Sequence, residues 1–320
     1  MIPDRRLEVR LPRGVILRDP LLMSSGCWEF SELLRPGKSD PREFGGAVTK
    51  AVTPEERPGN PGIRIQQVGP SWMNSVGLKN PGIEKFNAEQ LPKLLELGIG
   101  FFVNIAGHGI GEFAELVDRV EDRLVQLDEK PDAGSGQGML GFEINLSCPN
   151  VDGANIATDQ SLVEQTVRSC RSRTERFITA KLSPNVTHIA PFAKAAEACG
   201  ADAVTIANTY NGVAIDVAAR RSRFARPSAG TSGAPVLPLT LYHIWQCRKS
   251  LPELPIFGSG GITDTDSALQ HLMAGASVLE IGSALFKSPR APHEIQAGLM
   301  EYVDANGIKS ISEIVGSFEG

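Results

Sequence analysis

Eight short apolar runs, most of them separated by stretches of helical spacing, predict an α/β fold. The expected form is a (β/α)8 TIM barrel with an N-terminal β-hairpin and an extended loop over the C-terminal mouth. Three observations carry this reading. The runs are rich in β-branched or aromatic residues and end in small or polar ones, as strands buried on both faces do. Strand and helix alternate along nearly all of the 320 residues. The glycine fingerprint of a doubly wound open sheet is missing after the first strand, where SSGCW (24–28) stands, and GSGGIT (258–263) lacks the G-x-G-x-x-G spacing. Residues 1–320 therefore read as a single domain.

LEVRLPRGVILRD (7–19) alternates around Pro12-Arg13-Gly14 and predicts the hairpin. LLMSSG (21–26) and GAVTKAV (46–52) are the first two barrel strands. IEKFNAEQLPKLLELG (83–98) has a helical apolar stripe ending at Gly98, with Pro92 starting or kinking a helix. FFVNIAG (101–107) is the third strand, and EFAELVDRVEDRLVQL (112–127) the helix behind it. PDAGSGQGMLG (131–141) predicts a mobile glycine-rich loop on the N-terminal face. GFEINLS (141–147) and FITAKLS (177–183) follow as strands four and five. THIAPFAKAAEACG (187–200) is a helix between a candidate N-cap, Thr187, and Gly200. After the sixth strand, DAVTIANT (202–209), the stretch from Tyr210 to Pro238 shows little periodicity and would lie over the mouth. PIFGSGG (255–261), the helix TDTDSALQHLMAGA (263–276) capped by Thr263 or Asp264, and SVLEIGS (277–283) complete the barrel.

Composition narrows the function classes. At 41% hydrophobic and 22% charged residues the chain is globular rather than disordered or coiled-coil. A net charge of −5 disfavours a broad nucleic-acid surface. No apolar run reaches the ~18 residues of a membrane span, and the charged N-terminus is followed by no apolar segment, so neither a signal peptide nor an amphipathic anchor is expected. The five cysteines (27, 148, 170, 199, 247) are odd in number and form no C-x-x-C pair. They read as reduced thiols of a cytoplasmic protein. His108, His188, His243, His271 and His293 lack metal-ligand spacing and read as surface or helix residues, and no metal is expected.

A barrel places its chemistry at the strand ends. Here these are Ser25-Gly26, Lys50, Asn104, Asn145 with Cys148, Lys181, Asn208-Thr209, Gly260-Gly261 and Gly282-Ser283. The set is rich in amides and almost free of carboxylates, which argues against metal hydrolysis and against a two-carboxylate glycosidase. Paired amide donors and acceptors suit a neutral imide or amide ring, although a single strand-end Asn ordinarily marks a turn. In EINLSCPN (143–150), alternation puts Asn145 and Ser147 on one face and Cys148 at the tip. A lone cysteine is ordinarily a small buried hydrophobe, but in this polar loop a thiolate can form and accept a proton. Cys170, Cys199 and Cys247 fall on predicted helices as packing residues, which leaves Cys27 as the rival. Lys50 and Lys181 sit in apolar strands and must leave the barrel or meet an anion, so an anionic ligand is predicted. GSGGI (258–262) and IGSALF (281–286), with a helix start at Thr263–Asp264, predict a phosphate site. The plain alternative is that these glycines only close the barrel.

Taken together, several ordered segments resemble the dihydroorotate dehydrogenase family, the FMN enzymes of pyrimidine synthesis. They are SSGCW (24–28), TKAVTPEERPGNPGIR (49–64), MNSVGLKNPGIEK (73–85), NIAG (104–107), INLSCPN (144–150), KLSPNVT (181–187), ANTYNGVAID (207–216), TSGAPVLP (231–238), GSGGI and GSALF. The resemblance spans nearly the whole chain and implies oxidation of dihydroorotate to orotate. Cys148 would remove the C5 proton, and a hydride would pass from C6 to FMN N5. The ring around the pyrimidine would be Asn74, Asn145, Asn150, Asn208 and Thr209. Lys50 and the backbone of Ser75, Val76, Gly77 and Leu78 would hold the substrate carboxylate. Ser25, Lys50, Ala51, Asn104, Asn145 and Lys181 match FMN contacts of the first five strands. Ala207, Gly233, Gly260, Gly261, Gly282 and Ser283 match those of the rest. Lys181 would sit at the flavin N1/O2 edge and stabilise the reduced anion.

A cysteine at 148 resembles class 1, the soluble branch. MNSVGLKNPG and ANTYNGVAID look more like class 1B, whose FMN subunit pairs with an FAD/iron–sulfur subunit and passes electrons to NAD, than like the stand-alone, fumarate-reducing class 1A. The chain has no cysteine cluster for an iron–sulfur centre, so a 1B enzyme would need that second chain. A homodimer is the default assembly. VDGANIATD (151–159) and Tyr210-Asn211 depart from the family pattern. They leave open a relative acting on another reduced pyrimidine such as dihydrouracil. A catalytically idle scaffold is disfavoured, because every expected polar position is filled.

Overall fold

The computed structural model describes residues 5–28, 38–129, 134, 136–147 and 156–319. Strands β1 (Val9–Arg10) and β2 (Ile16–Leu17) form the expected antiparallel hairpin. Its Val9, Leu11, Val15 and Leu17 are buried in the main core, and Arg13 Nε reaches Asp202 Oδ1 at 2.7 Å. Asp202 immediately precedes a barrel strand, so the hairpin covers the N-terminal end of the barrel.

Next come β3 (Leu21–Met23) and β4 (Gly46–Val48), then an excursion with β5 (Ile65–Val68) and β6 (Ser71–Asn74). Helix α1 (Gly82–Lys85), a π-helical turn over Phe86–Gln90 and α2 (Leu91–Glu96) replace the single predicted helix. Pro92 occupies the first turn of α2, where its missing N–H costs nothing. Strand β7 (Gly100–Ile105), α3 (Ile110–Gln126), β8 (Gly138–Asn145), α4 (Gln160–Arg171), β9 (Phe177–Lys181) and α5 (Ala190–Ala198) follow. Thr187 does not cap α5, whose first turn begins after Ile189. The ladder of β8 already begins at Gly138, paired with Gly100, so the end of the stretch read as a loop is strand. Residues 130–133 and 135 lie outside the described residues.

Strand β10 (Ala203–Ile206) leads into β11 (Tyr210–Gly212), β12 (Ile215–Asp216), β13 (Arg221–Ser222) and β14 (Ala229–Ser232). Helix α6 (Leu237–Ser250), β15 (Ile256–Ser259), α7 (Thr265–Ala274), β16 (Val278–Ile281), α8 (Ala284–Lys287) and α9 (Ala291–Ala305) end the fold. Asp264, not Thr263, caps α7.

The eight predicted strands close into one parallel barrel in the order β10-β15-β16-β3-β4-β7-β8-β9. The stretch from Tyr210 to Pro238 is more regular than its sequence suggests. It joins the excursion as a four-stranded sheet, β11-β14-β6-β5. Strands of three or four residues are too short to show a period, and the β14–β6 ladder that joins the two hairpins spans more than a hundred residues, so only the pairing makes the sheet visible.

Period-2 alternation stacks the barrel interior in layers. Phe102, Phe177 and Phe257 form an aromatic layer with ring centroids 5.7–5.9 Å apart. Gly141 lies between two of them in register, and a Cβ there would come within 2.0 Å of the Phe177 carbonyl oxygen. Two residues further along, the same columns carry Asn104, Glu143 and Thr179, and then Asn145 and Lys181. The aromatic layer is thus the floor of a polar chamber. Phe177→Ala should cost about 3–5 kcal/mol of unfolding free energy. Denaturant unfolding checks this, and a loss well under 1 kcal/mol would contradict the layer's role.

Candidate active site

The residues singled out from the sequence converge on the C-terminal mouth. Ser25 follows β3, while Lys50 and Ala51 follow β4. Ala51 is buried, and Ser25 and Lys50 are half-buried. The 74–78 segment is fixed from two sides. Asn60 Nδ2 donates to the Ser75 carbonyl (3.2 Å) and Oγ (3.0 Å). Asn80 Nδ2 donates to the Leu78 carbonyl (2.8 Å) and to Thr53 Oγ1 (2.7 Å), which ties the segment to the chain just past Lys50. Gly77 has φ +73°, and a Cβ there would lie 2.8 Å from the Asn60 backbone nitrogen, so only glycine fits this turn.

Asn145, Ser147 and Asn208 form one cluster. Asn145 Oδ1 accepts from Ser147 Oγ (2.6 Å) and from Asn208 Nδ2 (3.3 Å), and Asn208 Nδ2 also contacts Ser147 Oγ. Thr209 follows, its N–H bonded to Asn208 Oδ1 at 2.8 Å. Asn145 and Ser147 are the pair that alternation put on one face. Cys148 and Asn150 lie outside the described residues, as do 151–155 of the departing loop. From Asp159, which caps α4 by accepting from Ser161 N at 2.9 Å, the chain is regular. Tyr210 turns towards α6, where its ring stacks on His243 and its hydroxyl meets Thr240 Oγ1 at 3.3 Å. Asn211, the other departing residue, is exposed.

The remaining cysteines are poor bases. Burial pushes the thiols of Cys27, Cys170 and Cys247 up to about 12, and Cys199 is buried as well. Cys27, the rival to Cys148, is therefore a protonated, packed thiol.

Lys181 does not stand alone, and two carboxylates were missed beside it. Its Nζ lies 2.7 Å from Glu280 Oε2 and 3.2 Å from Glu143 Oε1, and all three side chains are buried. The anion that a buried lysine demands is supplied by the protein itself. Asn104 Nδ2 and Thr205 Oγ1 also donate to Glu143, at 2.5 and 3.0 Å, and Ser24 Oγ donates to Glu280 at 3.0 Å. Burial and the charge of Glu280 push Glu143 up to about 8, against the pull of Lys181. Burial also pushes Glu280 up, but Lys181, Glu143 and Ser24 outweigh it and hold that carboxyl low. The signal in the sequence was a glutamate inside each of two apolar strands, GFEINLS and SVLEIGS.

At the predicted phosphate site, the N-terminus of α7 carries a capping box, in which Asp264 accepts from Ser267 N and Ser267 Oγ from Asp264 N. The Asp264 carboxylate thus takes one of the N–H groups of this end. The glycine backbones remain. Gly260 and Gly261 have φ +127° and +86°, and a Cβ on Gly261 would lie 2.5 Å from Leu237 Cα. Gly233 (φ +93°) stands before α6, and Gly282 and Ser283 lead into α8. Ala207 donates its N–H to the Ser259 carbonyl at 2.9 Å. His271, a residue given no role from the sequence, braces this cradle, with Nε2 3.0 Å from the Gly260 carbonyl.

Barrel, glycine cradle and amide-lined mouth define the class: a (β/α)8 barrel enzyme that holds a phosphate-bearing group over a buried charged chamber. A family model described as "Dihydroorotate dehydrogenase" matches residues 6–303. The chain belongs to this family of FMN-dependent oxidoreductases. It is 36% identical over 325 residues, covering all of both chains, to a protein of Pelobacter propionicus named dihydroorotate dehydrogenase B (NAD(+)), catalytic subunit. Relatives of the same name in Desulforudis audaxviator (37% over 306 residues, 95% of each chain) and Trichlorobacter lovleyi (35% over 310 residues, 95% of this chain and 96% of that one) agree.

The residues fit FMN. Asn104 Oδ1 is buried without a hydrogen-bond partner, an acceptor waiting for an N–H. At Gly260 and Gly261 a Cβ would collide with Thr240 Oγ1 (2.8 Å) and Leu237 Cα (2.5 Å), so these positions present bare backbone.

His271 yields a pH prediction. Burial pulls it down to about 4, so it is neutral, with Nε2–H donating to Gly260. The unfolded chain takes up a proton near pH 6.5 that the folded chain refuses. This contribution is complete above about pH 6.5 and is lost as pH falls towards about 4. Unfolding free energy measured across that window should fall more steeply in the native protein than in His271→Gln, by up to about 3 kcal/mol. Parallel curves would contradict the neutral assignment.

Proposed function

We propose that this chain is the catalytic subunit of an NAD-linked dihydroorotate dehydrogenase, oxidising (S)-dihydroorotate to orotate. The observation that carries the reading is the polar cluster Asn145–Ser147–Asn208, with Asn145 in register beside the buried Lys181. Amides pair with a planar imide, and Lys50 with the 74–78 backbone supplies the cationic, N–H-rich end that a carboxylate needs.

A flavin held here would supply the acceptor, at its N5, for the hydride leaving C6 of the substrate. The chain's own residues hold and orient the reactants. Gly260, Gly261, Gly282 and Ser283 would cradle the phosphate. Asn104, Lys181, Ala51, Ala207, Ser25 and Gly233 would line the rest of the cofactor. Asn74, Asn150 and Thr209 would join Asn145 and Asn208 around the pyrimidine. Cys148 would take the C5 proton on its sulfur. The five cysteines are too widely spaced to hold an iron–sulfur centre. The electrons would therefore leave through a second chain, which we read as an FAD/iron–sulfur subunit; the relatives' names, an NAD(+)-linked catalytic subunit, support a further chain and NAD as acceptor. Among the described residues no helix is long and apolar enough to cross a membrane. We read the protein as one domain over 1–320, cytoplasmic and homodimeric.

Anaerobic titration of the flavin-loaded chain with L-dihydroorotate should bleach the flavin absorbance. A flavin that dithionite reduces but dihydroorotate does not would overturn the substrate assignment. Cys148→Ala should keep flavin and orotate binding yet slow the reductive half-reaction about 10²–10⁴-fold, the usual reach of a general base. Stopped-flow rates equal to those of the native chain would remove Cys148 from the mechanism.

A further inference from the structure

The chamber beneath the cofactor site holds two carboxylates and one ammonium. Glu143 and Glu280 are 0% and 1% exposed, and Lys181 is 5% exposed. With both carboxylates ionised, the cluster would carry an uncompensated negative charge out of reach of water, which is strongly disfavoured. A single ammonium stands within 2.7 Å of Glu280 Oε2 and 3.2 Å of Glu143 Oε1, and one positive charge cannot neutralise both carboxylates. Glu280 Oε1 is buried with no hydrogen-bond partner. A proton held on the pair removes the excess charge.

We propose that Glu143 and Glu280 share one proton, and that this pair, rather than Lys181 alone, balances the charge that a hydride brings to the bound flavin. The coupling rests on the flavin reading above. The electron count is simple. Dihydroorotate loses a hydride from C6, two electrons and one proton, and a second proton from C5. The two losses together leave the substrate's charge unchanged, so a flavin that takes the hydride would gain one negative charge. When the pair is unprotonated, it binds one proton from solvent to cancel that charge, and it releases the proton when the electrons leave.

The groups facing the pair leave few other candidates for this proton. Lys181 of β9 is held charged by both carboxylates, and the Cys27 thiol after β3 is held protonated by burial. Asn104 of β7, Thr205 of β10 and Ser24 after β3 do not titrate. The raised pKa of Glu143, about 8, puts the change within reach of experiment. Glu143 and Glu280 are positioning residues in this scheme, acting through the charge of Lys181.

Two measurements test it. Infrared spectra of the flavin-free chain should show a protonated-carboxyl stretch that disappears as pH is raised through about 8 and is missing from Glu143→Gln. No such band in the native chain overturns the shared proton, whether or not the chain binds flavin. The flavin midpoint potential is then followed against pH in the loaded protein. Above the break the native chain should take up one more proton per two electrons than below it. Glu143→Gln should show no break there, and neither should Glu280→Gln, the second variant should the first not fold. Equal proton counts in native and variant chains overturn the coupling. A chain that takes up no flavin overturns the functional reading and the coupling with it, while the infrared band still decides the shared proton.

Discussion

Closing eight parallel strands on themselves gives every strand one column of side chains that point inward, repeating every second residue. That constraint organises the rest of the molecule. It stacks Phe102, Phe177 and Phe257 into a floor. It then obliges the next positions of the same strands to face one another in a buried space. Whatever stands there must satisfy its neighbours. Asn104, Glu143, Thr205, Lys181 and Glu280 do so by bonding to each other. The polar chamber is the upper continuation of the hydrophobic core, held by the same pleat.

The chamber changes how the lysine is understood. A lone buried ammonium under a flavin would be a fixed positive charge. An ammonium between two carboxylates is part of a unit whose charge depends on one proton, and so on its surroundings. The phosphate end shows a related economy. The helix N-terminus nearest to it is capped by Asp264 and Ser267, beside glycine backbone that is braced by a neutral His271. At both ends of the cofactor site, groups that look available in the sequence are already engaged within the protein.

The mouth sheet obeys a different logic. Its strands β5, β6, β11 and β14 come from two excursions, after the second and the sixth barrel strands. Their pairing places Asn74 opposite Gly230, and a Cβ at Gly230 would crowd Thr209 Oγ1 at 2.2 Å. Two segments distant in sequence are thereby locked together above the barrel. The family relationship accords with this arrangement, because MNSVGLKNPG and ANTYNGVAID, which carry much of the resemblance, are the segments this sheet unites.

The sequence by itself determined the eight strands, the hairpin and the Gly98 helix boundary, and it narrowed the start of α7 to Thr263 or Asp264. These are set by local alternation, by caps and by residue chemistry at strand ends, all of which act over a few positions. It named Lys181 but not its partners. A glutamate at 143 and another at 280 meet only when the barrel closes β8, β9 and β16 around one axis, and no local pattern records that meeting. The mouth sheet escaped for the same reason, since its short strands are stabilised by hydrogen bonds to distant segments. Tertiary structure decided which charges are shared, because charge compensation in a buried space depends on distance in the fold and not on distance along the chain.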